Sequence, residues 1–324
     1  MTQDRWDEVM DLLVAAVPAG PATVVVDGTD ERTGQVADRL AAALRAAGRP
    51  CTRPPGDAPA ADAAVVVADG PFAREHPPVG GWDVIVWLRT SRRQHEADGT
   101  RGDTADVVVD LHDPDWPVIR HLAPRLLPHH RWHLTESRAF FGVRAATWDA
   151  KFGDDLPAYA AAVDAADLPP GGVVIDAGCG TGRALPALRA AVGPAGTVVG
   201  LDHTPQMLAK AQEKGNGGLV LADAGRLPFA DGSVDAVFAA GLVMHLPDPV
   251  DGLRELARVT RAGGRLVLFH PTGRAALAAR HGRVLRPDEP LAEGPLTAAA
   301  ARAGWRLVRY DDGPDRFLAL ADRS

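Results

Sequence analysis

Short runs of β-branched and aliphatic residues alternate along the chain with polar segments that contain glycine or proline. In the first half, residues 5–17 place apolar side chains at helical spacing, and residues 35–47 are rich in Ala, Leu and Arg. Both segments predict helices. Four continuous apolar runs predict buried strands, at residues 22–27, 63–68, 83–88 and 105–110. Strands that alternate with helices favour an α/β domain with a parallel sheet.

The second half repeats this alternation. From residue 168 onward, five strand–helix units are followed by two further strands. The seven predicted strands lie near residues 173–176, 197–202, 218–222, 234–240, 265–270, 306–311 and 316–322. A second α/β domain is therefore expected, and a chain of 324 residues is long enough to form two domains.

Composition narrows the classes of function. The formal net charge is −7, so the overall field does not favour nucleic-acid binding. The two cysteines, Cys51 and Cys179, lie far apart and indicate free thiols in a reducing compartment. The N-terminus has no basic segment before an apolar stretch, and no run of 18 apolar residues occurs. We therefore expect a cytoplasmic protein without a membrane span.

Residues 128–136 have the composition of a linker, and they include three histidines. Histidines this close together suggest a metal, but no acidic or cysteine residue stands at a ligand spacing. A solvated linker is therefore favoured over a zinc site, and no metal is expected.

The stretch most specific for chemistry lies at residues 173–183, where an apolar run ends in Asp176. Three glycines follow, at Gly178, Gly180 and Gly182. Glycines allow a sharp turn and a close ligand approach, and a helical pattern begins directly behind them. A dinucleotide fingerprint, G-x-G-x-x-G, would need its third glycine where Arg183 stands. The spacing G-x-G-x-G after an acidic residue instead resembles motif I of the class I S-adenosylmethionine-dependent methyltransferases.

Segments on both sides of this motif resemble the same family, over about residues 135–324. Asp202 ends the second strand, where an acidic side chain can accept both ribose hydroxyls. In the similar proteins the next residue packs on the adenine, and here it is His203. The resemblance also implies that Asp223 accepts the adenine amino group and that the N–H of Ala224 meets the ring edge.

An aromatic residue before the glycine motif closes over the cofactor in similar proteins, and Trp148 is the candidate here. The alternative is that Trp148 only packs its helix against the sheet. The remaining residues expected on the cofactor side are Asp176, the three glycines, Met207 and Ala240.

The resemblance implies a Rossmann-like, seven-stranded methyltransferase domain whose last strand inserts antiparallel. It also implies S-adenosyl-L-methionine as cofactor, S-adenosyl-L-homocysteine as product and a small-molecule acceptor, whose identity stays open. One alternative is a non-catalytic protein that binds this cofactor or acts as a scaffold. Another is a nicotinamide-dependent oxidoreductase, although Arg183 and the Asp223-Ala224 pair argue against it.

His245 and His270 follow the fourth and fifth strands of this domain, where both side chains should lie beside the reacting methyl group. Histidine is suited to accept a proton near neutral pH. The alternative is that the protein positions the reactants and supplies no base.

Roughly residues 20–127 resemble the uridine kinase-like branch of the P-loop kinases. The similar features are Val-Asp-Gly at residues 26–28, the helix at 37–48, and the segments at 81–88 and 105–114. We therefore expect an N-terminal P-loop-kinase-like α/β domain at residues 1–128, followed by the methyltransferase domain at 129–324.

The catalytic part of the P-loop motif is missing. That motif reads G-x-x-x-x-G-K-[ST], whereas Gly34 is followed here by Gln35 and Val36. The only lysines of the chain are Lys151, Lys210 and Lys214, so no nearby lysine can take that role. We expect a degenerate, pseudokinase-like domain that serves packing or homodimer formation. A phosphate or nucleotide site without turnover is the alternative.

We predict that the first half does not transfer phosphate from ATP, because no lysine is available to neutralise the charge that develops on the γ-phosphate. A coupled assay with a set of nucleosides and labelled ATP checks this. Measured phosphorylation of any nucleoside by the purified chain would contradict the prediction.

Overall fold

A computed structural model describes residues 2–28, 31–53, 65–90, 104–127, 131–152, 154–280 and 284–324. The chain divides into two compact units, one that extends to Glu136 and one that comprises Ser137–Arg280 and Val284–Ser324. The domain boundary predicted after residue 128 lies ahead of this division.

The first unit contains a six-stranded sheet of order β2-β3-β1-β4-β5-β6. Its strands are β1 (Ala22–Gly28), β2 (Cys51–Thr52), β3 (Val65–Asp69), β4 (Val84–Arg89), β5 (Val107–Asp110) and β6 (Val118–Leu122). Its helices within the described residues are α1 (Thr2–Ala16), α2 (Thr33–Ala46) and α3 (Gly70–Glu75). The strands pair in parallel, except that β6 is antiparallel to β5. The predicted parallel α/β architecture is confirmed, while β2 and β6 had not been predicted.

Strand β1 shows why its sequence is a continuous apolar run. Consecutive strand residues point to opposite faces of a sheet, yet Val24, Val25 and Val26 are all 0% exposed. Both faces of β1 are therefore covered. Leu40 and Leu44 of α2 belong to the same apolar core as Val24 and Val26, so the helical and strand patterns read from the sequence meet in one cluster.

The linker predicted at residues 128–136 is wrong for its second part, because Arg131 begins helix α4 (Arg131–Gly142). Trp132 packs into the apolar core of the first unit. Glu136 is buried, pairs with Arg5, and accepts the N–H of Ile119 at 2.6 Å. An apolar ring and a paired carboxylate therefore fix this segment. Residues 128–130, which contain two of the three histidines, lie outside the described residues.

The second unit contains a seven-stranded sheet of order β12-β13-β11-β10-β7-β8-β9. Its strands are β7 (Val173–Ala177), β8 (Thr197–Asp202), β9 (Leu219–Leu221), β10 (Val234–Ala240), β11 (Thr260–His270), β12 (Trp305–Asp312) and β13 (Phe317–Arg323). Strands β7 to β11 pair in parallel, and β13 is antiparallel to both β11 and β12. All seven predicted strands and the antiparallel last strand are confirmed.

Helices connect these strands. Those of the second unit within the described residues are α5 (Trp148–Phe152), α6 (Leu156–Ala166), α7 (Leu185–Val192), α8 (Pro205–Glu213), α9 (Pro249–Val259), α10 (Arg274–Arg280) and α11 (Glu293–Arg302). In the central strand β10, Val237 and Phe238 are both 0% exposed and belong to two different apolar cores. The sheet is therefore buried on both faces, and the carboxyl ends of its parallel strands form one edge, which is where open α/β sheets bind ligands.

Two features are absent from the described part of the chain. None of its helices has the length and apolar character that a membrane span requires. Nor does it hold a cluster of His, Cys, Asp and Glu side chains that could bind a metal ion.

Candidate active site

The turn between β7 and α7 is built on three glycines with a left-handed backbone. The φ angle is +73° at Gly178, +52° at Gly180 and +80° at Gly182. A Cβ atom at Gly182 would lie 2.7 Å from the side-chain nitrogen, Nδ2, of Asn216, and one at Gly178 would lie 3.1 Å from the side chain of Leu242. A Cβ at Gly180 would meet no atom within 4 Å. Of these three glycines, Gly180 is therefore the one that faces open space.

Asp176 lies near the end of β7 and is 1% exposed. Neither of its carboxylate oxygens has a hydrogen-bond partner among the described residues. Burial, with the nearby charge of Asp202 as a second cause, raises the pKa of Asp176 to about 8. Because a buried carboxylate without a partner is costly, this position favours a ligand that brings a donor or a positive charge.

Asp202 ties the second strand to the glycine turn. It ends β8, and its Oδ2 accepts the N–H of Gly180 at 2.9 Å while its Oδ1 accepts the N–H of Thr204 at 2.7 Å. Since each carboxylate oxygen has two lone pairs, Oδ2 can still accept a further donor, whereas Oδ1 also lies 3.3 Å from Nδ1 of His203. Binding of the two ribose hydroxyls by Asp202 stays a prediction.

His203 lies between Asp202 and helix α4. Its Nδ1 is 3.3 Å from Asp202 Oδ1, and its Nε2 is 2.9 Å from the hydroxyl of Ser137. Arg138, the next residue of α4, donates to the carbonyl of His203 at 2.7 Å. The ring is therefore held in place, which suits a contact surface better than a mobile proton carrier.

Phe141 brings three of the predicted site residues together. Its ring centroid lies 5.1 Å from that of His245, 5.5 Å from that of Trp148 and 6.2 Å from that of His203. Residues four apart share one helix face, so Ser137 and Phe141 of α4 point to the same side. Phe141 was not predicted as a site residue. The signal for it is the Phe-Phe pair at residues 140–141, read in the helical register of α4.

A cluster of charged side chains holds α5 against the glycine turn. Asp149 accepts the hydroxyl of Thr181 at 2.6 Å and Arg183 at 3.0 Å, and it also pairs with Lys214. Arg183 pairs in addition with Asp155. In the sequence, Arg183 only argued against the dinucleotide fingerprint. Its ion pairs in this cluster were not predicted.

The remaining residues predicted on the cofactor side lie after β9, on α8 and at the end of β10. Asp223 is exposed, and its carboxylate accepts the N–H of Gly225 at 2.9 Å. Ala224 is 7% exposed and Met207, on α8, is 2% exposed. Ala240 is half-buried at the end of β10. Their contacts with a cofactor stay predictions.

The two candidate bases differ in their surroundings. His245 lies in a short 3₁₀ turn (Val243–His245) after β10, edge-on to Phe141. His270 ends β11, and its Nδ1 lies 2.9 Å from the carbonyl and 3.1 Å from the N–H of Thr272. Burial lowers the pKa of His270 below its usual value, against the opposing effect of its hydrogen bond to Thr272. His270 is therefore neutral near pH 7.

Residues 175–268 match the family model for the methyltransferase domain. The second unit is therefore similar to a methyltransferase domain over this segment. The matched segment runs from β7 to β11 and includes the glycine turn, Asp202 and Asp223. It indicates S-adenosyl-L-methionine as the cofactor, which confirms that prediction.

Curated relatives resemble the chain over about a third of its length. An uncharacterized 37.1 kDa protein in transposon TN4556 of Streptomyces fradiae is 38% identical over 113 residues, which are 34% of this chain and 33% of that protein. A demethylmenaquinone methyltransferase of Desulfitobacterium hafniense is 37% identical over 123 residues, which are 36% of this chain and 49% of that protein. The chain thus spans between a third and about half of the length of these relatives.

A solved structure, a SAM-dependent methyltransferase from Aquifex aeolicus, aligns with a TM-score of 0.44 and 26% identity. The alignment covers 51% of this chain and 89% of that one.

The site around the glycine turn fits this cofactor in charge and in the space at Gly180. S-adenosyl-L-methionine carries a positive sulfonium, and the glycine turn offers two neighbouring carboxylates, of which Asp176 has no partner among the described residues. Gly180 leaves the space in which a ligand can approach the backbone.

Replacing Gly180 by Ala should weaken binding of S-adenosyl-L-homocysteine at least ten-fold, or about 1.4 kcal/mol, because the methyl group enters the open space of the turn. Gly193→Ala is the matched control, since Gly193 also has a positive φ, +70°, and a Cβ there meets no atom within 4 Å. Both substitutions place an L residue at a positive φ, where a side chain strains the backbone. Calorimetry that finds equal affinities for the two variants would contradict this assignment.

Asp176→Asn should change how stability depends on pH. The native pKa of about 8 lies above the value of about 3.9 in an unfolded chain. The stabilisation from the protonated carboxyl is therefore complete below the unfolded pKa and is lost as pH rises through about 8. We expect the ligand-free variant to melt above the wild type at pH 8 and close to it at pH 4. Thermal melts across this range check the prediction, and parallel curves would refute it.

Proposed function

We propose that this chain is an enzyme that transfers a methyl group from S-adenosyl-L-methionine to a small-molecule acceptor. The observation that carries the proposal is the buried Asp176 carboxylate without a partner among the described residues, beside Asp202 and the open face of Gly180. A cationic ligand in this place removes the cost of the buried carboxylate. The name of the Desulfitobacterium hafniense relative supports a small-molecule acceptor.

When bound, the cofactor supplies a methyl group that its sulfonium makes electrophilic. Asp202 orients the ribose through its remaining lone pairs, while its bond to the Gly180 N–H keeps the turn in shape. Phe141 and Trp148 form the aromatic side of the cleft and exclude water. Such positioning contributes to the rate by itself, because it holds the reacting atoms in contact.

We propose His270 as the base for an acceptor atom that must lose a proton. The tautomer that donates from Nδ1 to the carbonyl of Thr272 leaves Nε2 unprotonated and able to accept a proton. Its lowered pKa keeps it in that neutral form near pH 7. His245 packs against Phe141 and shapes the cleft instead.

The first unit is proposed as a degenerate, non-phosphorylating P-loop domain, which is supported by the parallel sheet around β1 and by Val36, buried in the helix where the motif needs a hydroxyl. A cytoplasmic location and a homodimer through this unit stay predictions. A nicotinamide-dependent oxidoreductase is disfavoured, because Arg183 stands where the dinucleotide fingerprint needs its third glycine.

The chain should bind S-adenosyl-L-homocysteine and not NAD in calorimetry, and a screen of acceptors with labelled cofactor should identify a methylated product. With that acceptor, His270→Gln should lower turnover about a hundred-fold, in line with typical base contributions, and leave cofactor affinity unchanged. His245→Gln is the comparison variant and should keep most of the turnover. If both variants retain wild-type rates, positioning alone drives the transfer.

A further inference from the structure

Helix α5 is only five residues long and carries Trp148 and Asp149 at consecutive positions. A helix of this length is not stable by itself, so its place depends on what its side chains contact. A 3₁₀ turn, Ala145–Thr147, comes just before α5, and its Ala145 is buried. Trp148 is half-buried against Phe141. The polar contacts of Asp149 give α5 a second attachment.

The partners of Asp149 lie in or beside the glycine turn. Thr181 and Arg183 belong to the turn that contains Gly180 and Gly182. Lys214 follows directly after α8, and its Nζ also donates to the carbonyl of Thr181 at 2.9 Å. Asp149 therefore binds one hydroxyl and two cations. Lys214 contacts both Asp149 and the glycine turn.

The charged side chains of this cluster differ in their exposure to solvent. The side chain of Arg183 is 9% exposed, whereas those of Asp149 and Lys214 are 37% and 41% exposed. Burial works to raise the pKa of Asp149, but the hydrogen bonds from Lys214, Thr181 and Arg183 outweigh it and hold that pKa below its usual value. Asp149 is thus ionised at neutral pH, and added salt can screen its pair with Lys214.

We propose that Asp149 is a positioning residue that fastens α5 to the glycine turn and so keeps the Trp148 ring over the cofactor. The inference rests on the proposed function, since it takes the glycine turn to be the cofactor site. When the fastening is broken, Trp148 loses its fixed place beside Phe141, and the cleft no longer closes on the cofactor.

The consequence is a cofactor affinity that depends on charges that do not themselves touch the cofactor. Asp149→Asn removes the negative charge and keeps the size of the side chain. Lys214→Met removes the opposite charge. Because both changes break one connection, their effects should not add in the double variant.

The test measures the dissociation constant of S-adenosyl-L-homocysteine for the full chain by calorimetry, at low and at high sodium chloride. Asp149→Asn and Lys214→Met should each weaken binding about ten-fold, and the double variant should be no weaker than the weaker single one. Wild-type affinity should fall with salt, while that of Asp149→Asn should not. Asp154→Asn, an exposed acid near the end of α5, is the control and should match the wild type.

The outcomes separate the two proposals. If the wild type does not bind the ligand, the proposed function fails and this inference fails with it. If the wild type binds and Asp149→Asn stays within two-fold of it, or if the two single effects add, the fastening role is refuted. Should Asp149→Asn not fold, Lys214→Met carries the test alone, and an unchanged affinity in that variant overturns the proposal.

Discussion

The hydrogen bond from the Gly180 N–H to Asp202 is the constraint on which the rest of the site depends. It joins the end of β8 to the turn after β7, at a residue whose φ of +52° favours glycine. The bond satisfies Asp202 but leaves the neighbouring Asp176 buried without a partner among the described residues. The fold therefore holds two carboxyl groups together and supplies hydrogen-bond donors to only one of them. Such local destabilisation is common at preformed ligand sites.

Much of this architecture could be predicted from the sequence, because the strands are buried on both faces and so appear as continuous apolar runs. Strands β7, β8 and β10 were predicted nearly to the residue for this reason. The glycine turn could be predicted because its left-handed residues admit few alternatives. Strand β2 has only two residues, and the apolar pattern of β6 is interrupted by Arg120 and His121.

What the sequence could not show were contacts between distant segments. Phe141 gains its position from the packing of α4, and Arg183 becomes important only because Asp149 and Asp155 lie beside it in space. The start of α4 was mistaken for a linker because polar and histidine residues dominate residues 128–133, whereas burial of Trp132 and the Glu136–Arg5 pair stabilise it. Composition reports the average environment of a segment and misses a single buried ion pair.

The position of β13 bears on how the sheet of the second unit assembles. This strand lies between β11 and β12, and β12 pairs with no other strand of the described sheet. During synthesis, β7, β8 and β9 emerge consecutively and can pair with one another while later residues are still being added. Strand β12 must wait for β13, with which it forms a hairpin of local contacts, and such pairings form quickly. The part of the sheet made of β7, β8 and β9, which carries the glycine turn and Asp202, can thus form early. The part that contains β12 is completed only when β13 docks against β11.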